Sequence, residues 1–353
     1  MSEQVFLPSY SIGDNIYEKV DDICSNYGKT AIVIGGKTSL MKIKDELVKS
    51  LVNSKIDLID FVWFGGNATK ENIDYLQSLE TVKKADMIFA VGGGKSMDTS
   101  KALANILNKP VFTFPTIASN CAPVTSLCVL YGENGVSFYQ TKRPPIHCFI
   151  HTKIISQAPI EYLRAGIGDA LSKQFEVCFN TRNRILNHTN SLGVQIAKDC
   201  SERLLYYGVK AFNDAKEHRV SEALEQVFLT IIINTGLVSV LVDMNYNSSL
   251  AHSLYLAKIR LPHCNNHMHG EIVSLGVVLL LIIDKAWEKA KEVYSFNQKI
   301  GLPLSLKDLE IEDVNQLVDL MIEDKYLKFA PFEITKTLLK ESINDLTNFR
   351  ENF

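Results

Sequence analysis

This chain of 353 residues lacks several features, and each absence removes a class of protein. No charge of one sign dominates: 37 Lys and Arg face 40 Asp and Glu, for a formal net charge of -3. Without a basic face to attract a polyanion, nucleic acid is not expected as a partner. No Cys-x-x-Cys pair occurs among the seven cysteines, at 24, 121, 128, 148, 178, 200 and 264. An odd, scattered set argues against a disulfide framework and for reduced thiols in the cytoplasm. The opening Met1-Ser2-Glu3-Gln4-Val5 has no basic segment followed by an apolar one, so no signal peptide is read. The longest apolar run, Ile272 to Ile283, is about 12 residues and contains Ser274. That is too short to span a bilayer and fits a buried helix, so no membrane partner is expected. Internal repeats and low-complexity tracts are also missing. Apolar residues, in contrast, make up 46% of the chain, enough for a large core spread over two domains.

The first half alternates short apolar runs with polar, helix-like ones. Thr30 to Gly36, Ile56 to Phe64, Met87 to Val91 and Val111 to Phe114 read as strands. Ser39 to Asn53 reads as a helix with Leu40, Ile43, Leu47 and Leu51 on one face, and Lys70 to Lys84 as a second helix. Such alternation predicts an α/β domain with a parallel, Rossmann-like sheet over residues 1–158. Ligands on these sheets sit at the carboxyl ends of strands, where Gly35, Gly65, Gly92 and Thr116 fall. From about residue 159 the period changes. Segments 160–180, 188–212, 219–241, 247–258 and 270–294 have helical spacing, which predicts an all-α domain over residues 159–353.

The stretch Ala85-Asp86-Met87-Ile88-Phe89-Ala90-Val91-Gly92-Gly93-Gly94-Lys95-Ser96-Met97-Asp98 is the most informative. A buried strand, a glycine turn and a helix start together make an anion cradle, because the first N–H groups of a helix have no partner and its dipole favours negative charge. Two better-known phosphate loops are excluded. A Walker A loop needs glycine where Phe89 stands, and the dinucleotide fingerprint Gly-x-Gly-x-x-Gly needs it where Met97 stands.

The second half offers Asp169 after Ala165-Gly166-Ile167-Gly168, His252 within Leu250-Ala251-His252-Ser253, and His269 before an apolar run. Asp169 is read as lying at a helix start. Two imidazoles and a carboxylate are a usual zinc set with a fourth position open for substrate. Spacing alone does not choose among His263, His267 and His269, and each residue singly fits a hydrogen-bonded scaffold or cap as well.

Four segments in order carry a resemblance: Gly92-Gly93-Gly94-Lys95-x-x-Asp98, Phe114-Pro115-Thr116-Ile117-Ala118-Ser119, Ala165-Gly166-Ile167-Gly168-Asp169 and His269-Gly270-Glu271. Together they resemble the iron-containing alcohol dehydrogenase superfamily, in its glycerol dehydrogenase-like branch, over nearly the whole chain. The resemblance implies the dehydroquinate synthase-like plan: a nucleotide-binding domain, a helical domain and a cleft between them. It implies hydride transfer between NAD or NADP and the CH–OH group of a small polyol. It implies a metal held by Asp169, His252 and His269, through which these residues are catalytic. It implies cofactor contacts at Gly94, Lys95, Asp98, Thr116, Ser119, Thr125, Leu127 and Tyr131, beside the Gly92 and Gly93 of the cradle. It also implies a homo-oligomer. Dehydroquinate synthase itself grips its substrate with several basic residues, and that pattern is not found.

Three departures refine the expectation. The glycerol branch carries an aspartate where Cys121 stands, and a thiol is a poor acceptor for a polyol hydroxyl. Cys121 therefore marks the substrate position and raises 2-hydroxycarboxylate or glycerol 1-phosphate as alternative substrates. NAD-selective members place an acid after the first strand, where this chain reads Gly35-Gly36-Lys37. Gly36 and Lys37 thus suit a 2′-phosphate, unless Lys37 only meets solvent. Finally, Tyr255 replaces the second histidine of the family's His-x-x-His, which favours zinc over iron.

Overall fold

The computed structural model describes residues 4–132, 135–262 and 266–351. The chain divides into two compact units, Met1–Pro159 with Glu217–Val220, and Ile160–Lys216 with Ser221–Phe353.

The first unit is built on a six-stranded sheet. Its strands are β1 (Tyr10–Gly13), β2 (Thr30–Gly35), β3 (Asp57–Trp63), β4 (Met87–Gly92), β5 (Val111–Pro115) and β8 (His147–His151), in the order β1-β8-β5-β4-β2-β3. Every pairing is parallel. Strand β4 is buried throughout, and its residues alternate between two cores. Met87, Phe89 and Val91 join Ile43 and Leu47 of helix α1 (Lys37–Ser50). Ile88 and Ala90 face the other way and join Met97 and Leu103 of a later helix, Gly94–Leu107. A sheet covered on both faces has no polar side to show, which explains the continuous apolar run of β4.

The expected helix 70–84 is two: α2 (Lys70–Ser78) and α3 (Glu80–Lys84), parted by an extended Leu79. Helix α4 (Gly94–Leu107) follows the glycine turn. Four strands were not anticipated from the sequence. β1 and β8 extend the sheet, and β6 (Leu127–Gly132) with β7 (Gly135–Gln140) forms a separate antiparallel ribbon.

The second unit is helical. It contains α5 (Ile160–Thr181), α6 (His188–Lys216), α7 (Leu250–Lys258), α8 (His269–Ile283) and α9 (Trp287–Ile300), with shorter helices around them. Helix α8 is apolar on all sides and is buried from Gly270 to Ile283, packed against α5, α7 and α9. A helix with no polar face can only be central. The expected single helix 270–294 is broken after Ile283, where Lys285 takes a φ of +57°. The helical stretch Glu222–Leu241 has the length and mean hydropathy (1.7) of a membrane span, but 61% of it is buried inside the protein, as in a core helix.

Candidate functional site

In the first unit, β2 and β4 are neighbours whose connections run to opposite sides of the sheet, and ligands bind at such a switch point. Their carboxyl ends carry Gly35-Gly36-Lys37 and Gly92-Gly93-Gly94. Gly92 has a φ of +128°, which a side chain would strain, and a Cβ there would stand 3.2 Å from Ser39 Oγ. Ser39 Oγ lies 3.1 Å from Thr116 Oγ1, and the Thr116 N–H donates to the Gly92 carbonyl at 3.1 Å. The neighbouring glycines are closely covered: a Cβ on Gly93 would lie 2.5 Å from Ile117 Cδ1, and one on Gly94 2.8 Å from Asn120 Nδ2. Helix α4 starts with Gly93 as its N-cap, no side-chain cap bond and no acid in its first turn. Its first N–H groups and dipole therefore suit an anion.

Lys95 extends its ammonium over the Tyr131 ring, 5.0 Å from the centroid. Asp98 is taken up by the fold. Its Oδ1 pairs with Lys101 at 2.9 Å, and its Oδ2 accepts the Val129 N–H at 3.0 Å. Lys101 is almost fully buried and also donates to the carbonyls of Ala122, Thr125 and Leu127 at 2.9, 3.0 and 2.7 Å. Burial pushes the Lys101 amine down, but the Asp98 carboxylate outweighs it and holds the amine above its usual range. One buried ion pair thus fixes the segment that carries Thr125, Leu127 and Tyr131. Ser119 and Cys121 are partly buried in the loop after β5, and Cys121 precedes the short turn Ala122–Val124. Gly36 is the N-cap of α1, and Lys37 opens it. Lys37 is exposed, and its ammonium lies 4.6 Å from the Trp63 ring centroid.

In the second unit, Asp169, His252 and His269 converge. The ligand atoms they offer lie within 4.8 Å of one another, the one such group of three among the described residues. His269 Nε2 is 3.2 Å and His252 Nε2 3.7 Å from Asp169 Oδ1. Donors each about 2.0–2.2 Å from a tetrahedral ion stand roughly 3.4 Å apart, so the spacing fits a cation. Asp169 is not at a helix start, as read from sequence, but in the middle of α5. The glycine just before it serves packing: a Cβ on Gly168 would strike the Gly270 carbonyl, and one on Gly270 the Ala165 carbonyl. A Cβ on Gly276 would likewise stand 2.6 Å from Ala251 Cα. Each donor is thus next in sequence to a small residue at a helix crossing.

Burial raises the Asp169 pKa, but the His269 hydrogen bond and the charges of His269, Lys173 and His252 hold it well below the usual carboxylate range. Glu176, fully buried on α5, lies 2.5 Å from His252 Nδ1. Burial lowers the His252 pKa, yet Glu176 outweighs it and raises it. Arg164 donates to Glu271 Oε1 through Nε at 3.1 Å and Nη2 at 2.7 Å, and Glu271 Oε2 accepts the Met268 N–H at 2.9 Å. This clamp ties α5 to the first turn of α8 beside His269. His267 Nδ1 lies 4.0 Å from Glu271 Oε2, away from the group of three. His263 lies outside the described residues.

Glu176, Arg164, Lys101 and Ser39 escaped the sequence reading. Spacing gave signals for two of them: Glu176 follows Asp169 by two helical turns, and Lys101 follows Asp98 by one.

A sequence profile described as iron-containing alcohol dehydrogenase matches residues 8–151. The chain is similar to a glycerol dehydrogenase of Thermotoga maritima, 33% identical over 323 residues, with 88% of this chain and 85% of the relative covered. It is similar to hydroxycarboxylate dehydrogenase A of Escherichia coli K12, at 27% identity over 82% of each chain. The crystal structure of a probable glycerol dehydrogenase from Sinorhizobium meliloti matches it with a TM-score of 0.85 and 25% identity, covering all of both chains. The chain therefore belongs to the iron-containing alcohol dehydrogenase family. Within that family it falls in the glycerol dehydrogenase-like branch.

Proposed function

We propose that this chain is a metal-dependent dehydrogenase that moves a hydride between NAD or NADP and the CH–OH group of a small polyol such as glycerol. The observation that carries the reading is the convergence of Asp169, His252 and His269 within 4.8 Å. A divalent cation held by Asp169, His252 and His269 would supply Lewis acidity at a substrate hydroxyl, and a nicotinamide held by the first unit would supply the hydride acceptor. The chain's own residues prepare this chemistry. Asp169 stays ionised and offers an anionic oxygen. The N–H groups at the start of α4, from Gly94 and Lys95, receive a pyrophosphate close to the backbone of Gly92 and Gly93. Thr116, Ser119, Thr125, Leu127 and Tyr131 line the cofactor, and Asp98 acts by holding the last three in place through Lys101.

Zinc is the preferred ion in this reading, because Tyr255 supplies no imidazole and its ring packs edge-on against His269, 4.2 Å between centroids. NADPH is accepted beside NADH, because Gly36 and Lys37 replace a repelling acid with a cation. Reduced thiols suit the cytoplasm, and the six described cysteines form no disulfide. A second reading, a 2-hydroxycarboxylate dehydrogenase, is favoured by Cys121, which removes the carboxylate that would repel an anionic substrate.

Absorbance of NADH and NADPH is followed with dihydroxyacetone, 2-oxobutanoate and dihydroxyacetone phosphate. The expected result is oxidation of both cofactors with dihydroxyacetone. A preference for 2-oxobutanoate selects the second reading, and oxidation with none of the three overturns both.

A further inference from the structure

We propose that Glu176 is a positioning residue for His252: it selects which imidazole nitrogen is left for a cation and caps the helix that carries the ring. The proposal rests on the metal reading above and adds a residue to it. Glu176 is seven residues after Asp169 on α5, so two turns of helix place both carboxylates on one face. It has no solvent exposure. Its Oε1 accepts the N–H of Ser249 at 2.7 Å and of His252 at 3.0 Å. These are N–H groups at the start of α7, whose own N-cap, Ser249, makes no side-chain cap bond. Its Oε2 lies 2.5 Å from His252 Nδ1. A carboxylate can only accept, so Nδ1 must carry the proton, and in the neutral ring that a cation binds Nε2 keeps its lone pair. That Nε2 is the atom 3.7 Å from Asp169 Oδ1. Partners of this kind fix ring orientation and raise the basicity of a ligating imidazole.

The two tasks are separable. In Glu176→Gln the amide oxygen still accepts both N–H groups of α7. The amide nitrogen, however, must donate to Nδ1, which moves the imidazole proton to Nε2 and blocks the lone pair there. The metal-free variant is therefore expected to unfold at a temperature close to that of the wild type. Its zinc affinity, measured by competition with a chromophoric chelator, is expected to fall about 10- to 100-fold. His252→Ala serves as the reference for complete loss of that donor. Wild-type zinc affinity in Glu176→Gln, with affinity lost in His252→Ala, overturns the role of Glu176 and leaves the metal reading standing. No zinc or iron uptake by the wild type overturns the metal reading itself, and this proposal with it. A second readout needs no folded Glu176 variant. In ¹⁵N-histidine spectra of the zinc-loaded wild type, with His252 assigned through His252→Gln, Nδ1 should be protonated and Nε2 metal-bound. The reverse assignment overturns the proposal.

Discussion

Gly168 and Gly270 meet back to back, with a Cβ on either colliding with backbone of the facing helix. The contact brings α5 and α8 together one residue before Asp169 and one residue after His269. Donor geometry in the second unit is thus set by two missing side chains as much as by the ligands themselves.

Gly270→Ala should therefore force the helices apart. Its Cβ meets the Ala165 carbonyl and comes within 2.9 Å of the Asp169 nitrogen, both backbone atoms that cannot swing away. A loss of about 3 kcal/mol is expected, the upper end of ordinary overpacking, together with loss of bound metal. Urea denaturation and metal analysis check this. Full stability with full metal content would show that the crossing is slack.

Lys101 should matter to stability more than a surface lysine. Lys101→Met leaves the Asp98 carboxylate buried and without its ion pair, at an expected cost of about 3–5 kcal/mol. The double variant Asp98→Asn with Lys101→Met removes the charge as well and should recover much of that loss. Chemical denaturation of the three proteins gives the comparison. An equal loss in single and double variants would mean that the carbonyl contacts, and not the ion pair, dominate.

Asp86 gives a pH dependence with a definite sign. Its carboxylate accepts the N–H of Lys29 at 2.8 Å and both the N–H and hydroxyl of Thr30 at 3.0 and 2.9 Å. The Lys29 bond is the main cause of a pKa held below the usual carboxylate range. A depressed folded-state pKa contributes stability above the unfolded value of about 4, and the contribution is lost as pH falls through the folded one. The stability gap between wild type and Asp86→Asn should accordingly be full at pH 7 and shrink below about pH 4. Melting curves across that range decide it, and a gap that widens in acid would reverse the sign.

Cys121 is expected to read the substrate. Cys121→Asp adds an acceptor for a polyol hydroxyl and a charge against an anionic substrate. Glycerol kcat/KM should rise about 10- to 100-fold, the value of a hydrogen bond to a charged group, and 2-oxobutanoate turnover should fall. Unchanged ratios between the two substrates would remove Cys121 from the substrate's surroundings.

Much of the first unit was legible because β4 is a continuous apolar run that ends sharply at a glycine turn. Strands β1 and β8 were missed because four or five residues carry too short an alternation to stand out. The ribbon β6–β7 was missed because β7 is largely exposed, with Val136 and Phe138 facing solvent, and β6 is mostly half-buried. In the second unit the donors were legible as residues and their setting was not. The Gly-x-Gly before Asp169 suggested a helix start there, although α5 runs unbroken through it and Gly168 meets the backbone of Gly270. The break at Lys285 had no glycine or proline to announce it. Glu176 was hidden because a buried glutamate on a helix looks like any surface glutamate until its three partners are in place.

The most direct test of the account strips the enzyme with a chelator and restores it by titration with zinc, while NADH oxidation by dihydroxyacetone is followed. Turnover should vanish on chelation, return in full at one zinc per chain, and stay absent in Asp169→Ala at any zinc level. A chelated enzyme that keeps turning over, or an Asp169→Ala variant that recovers with zinc, would contradict it.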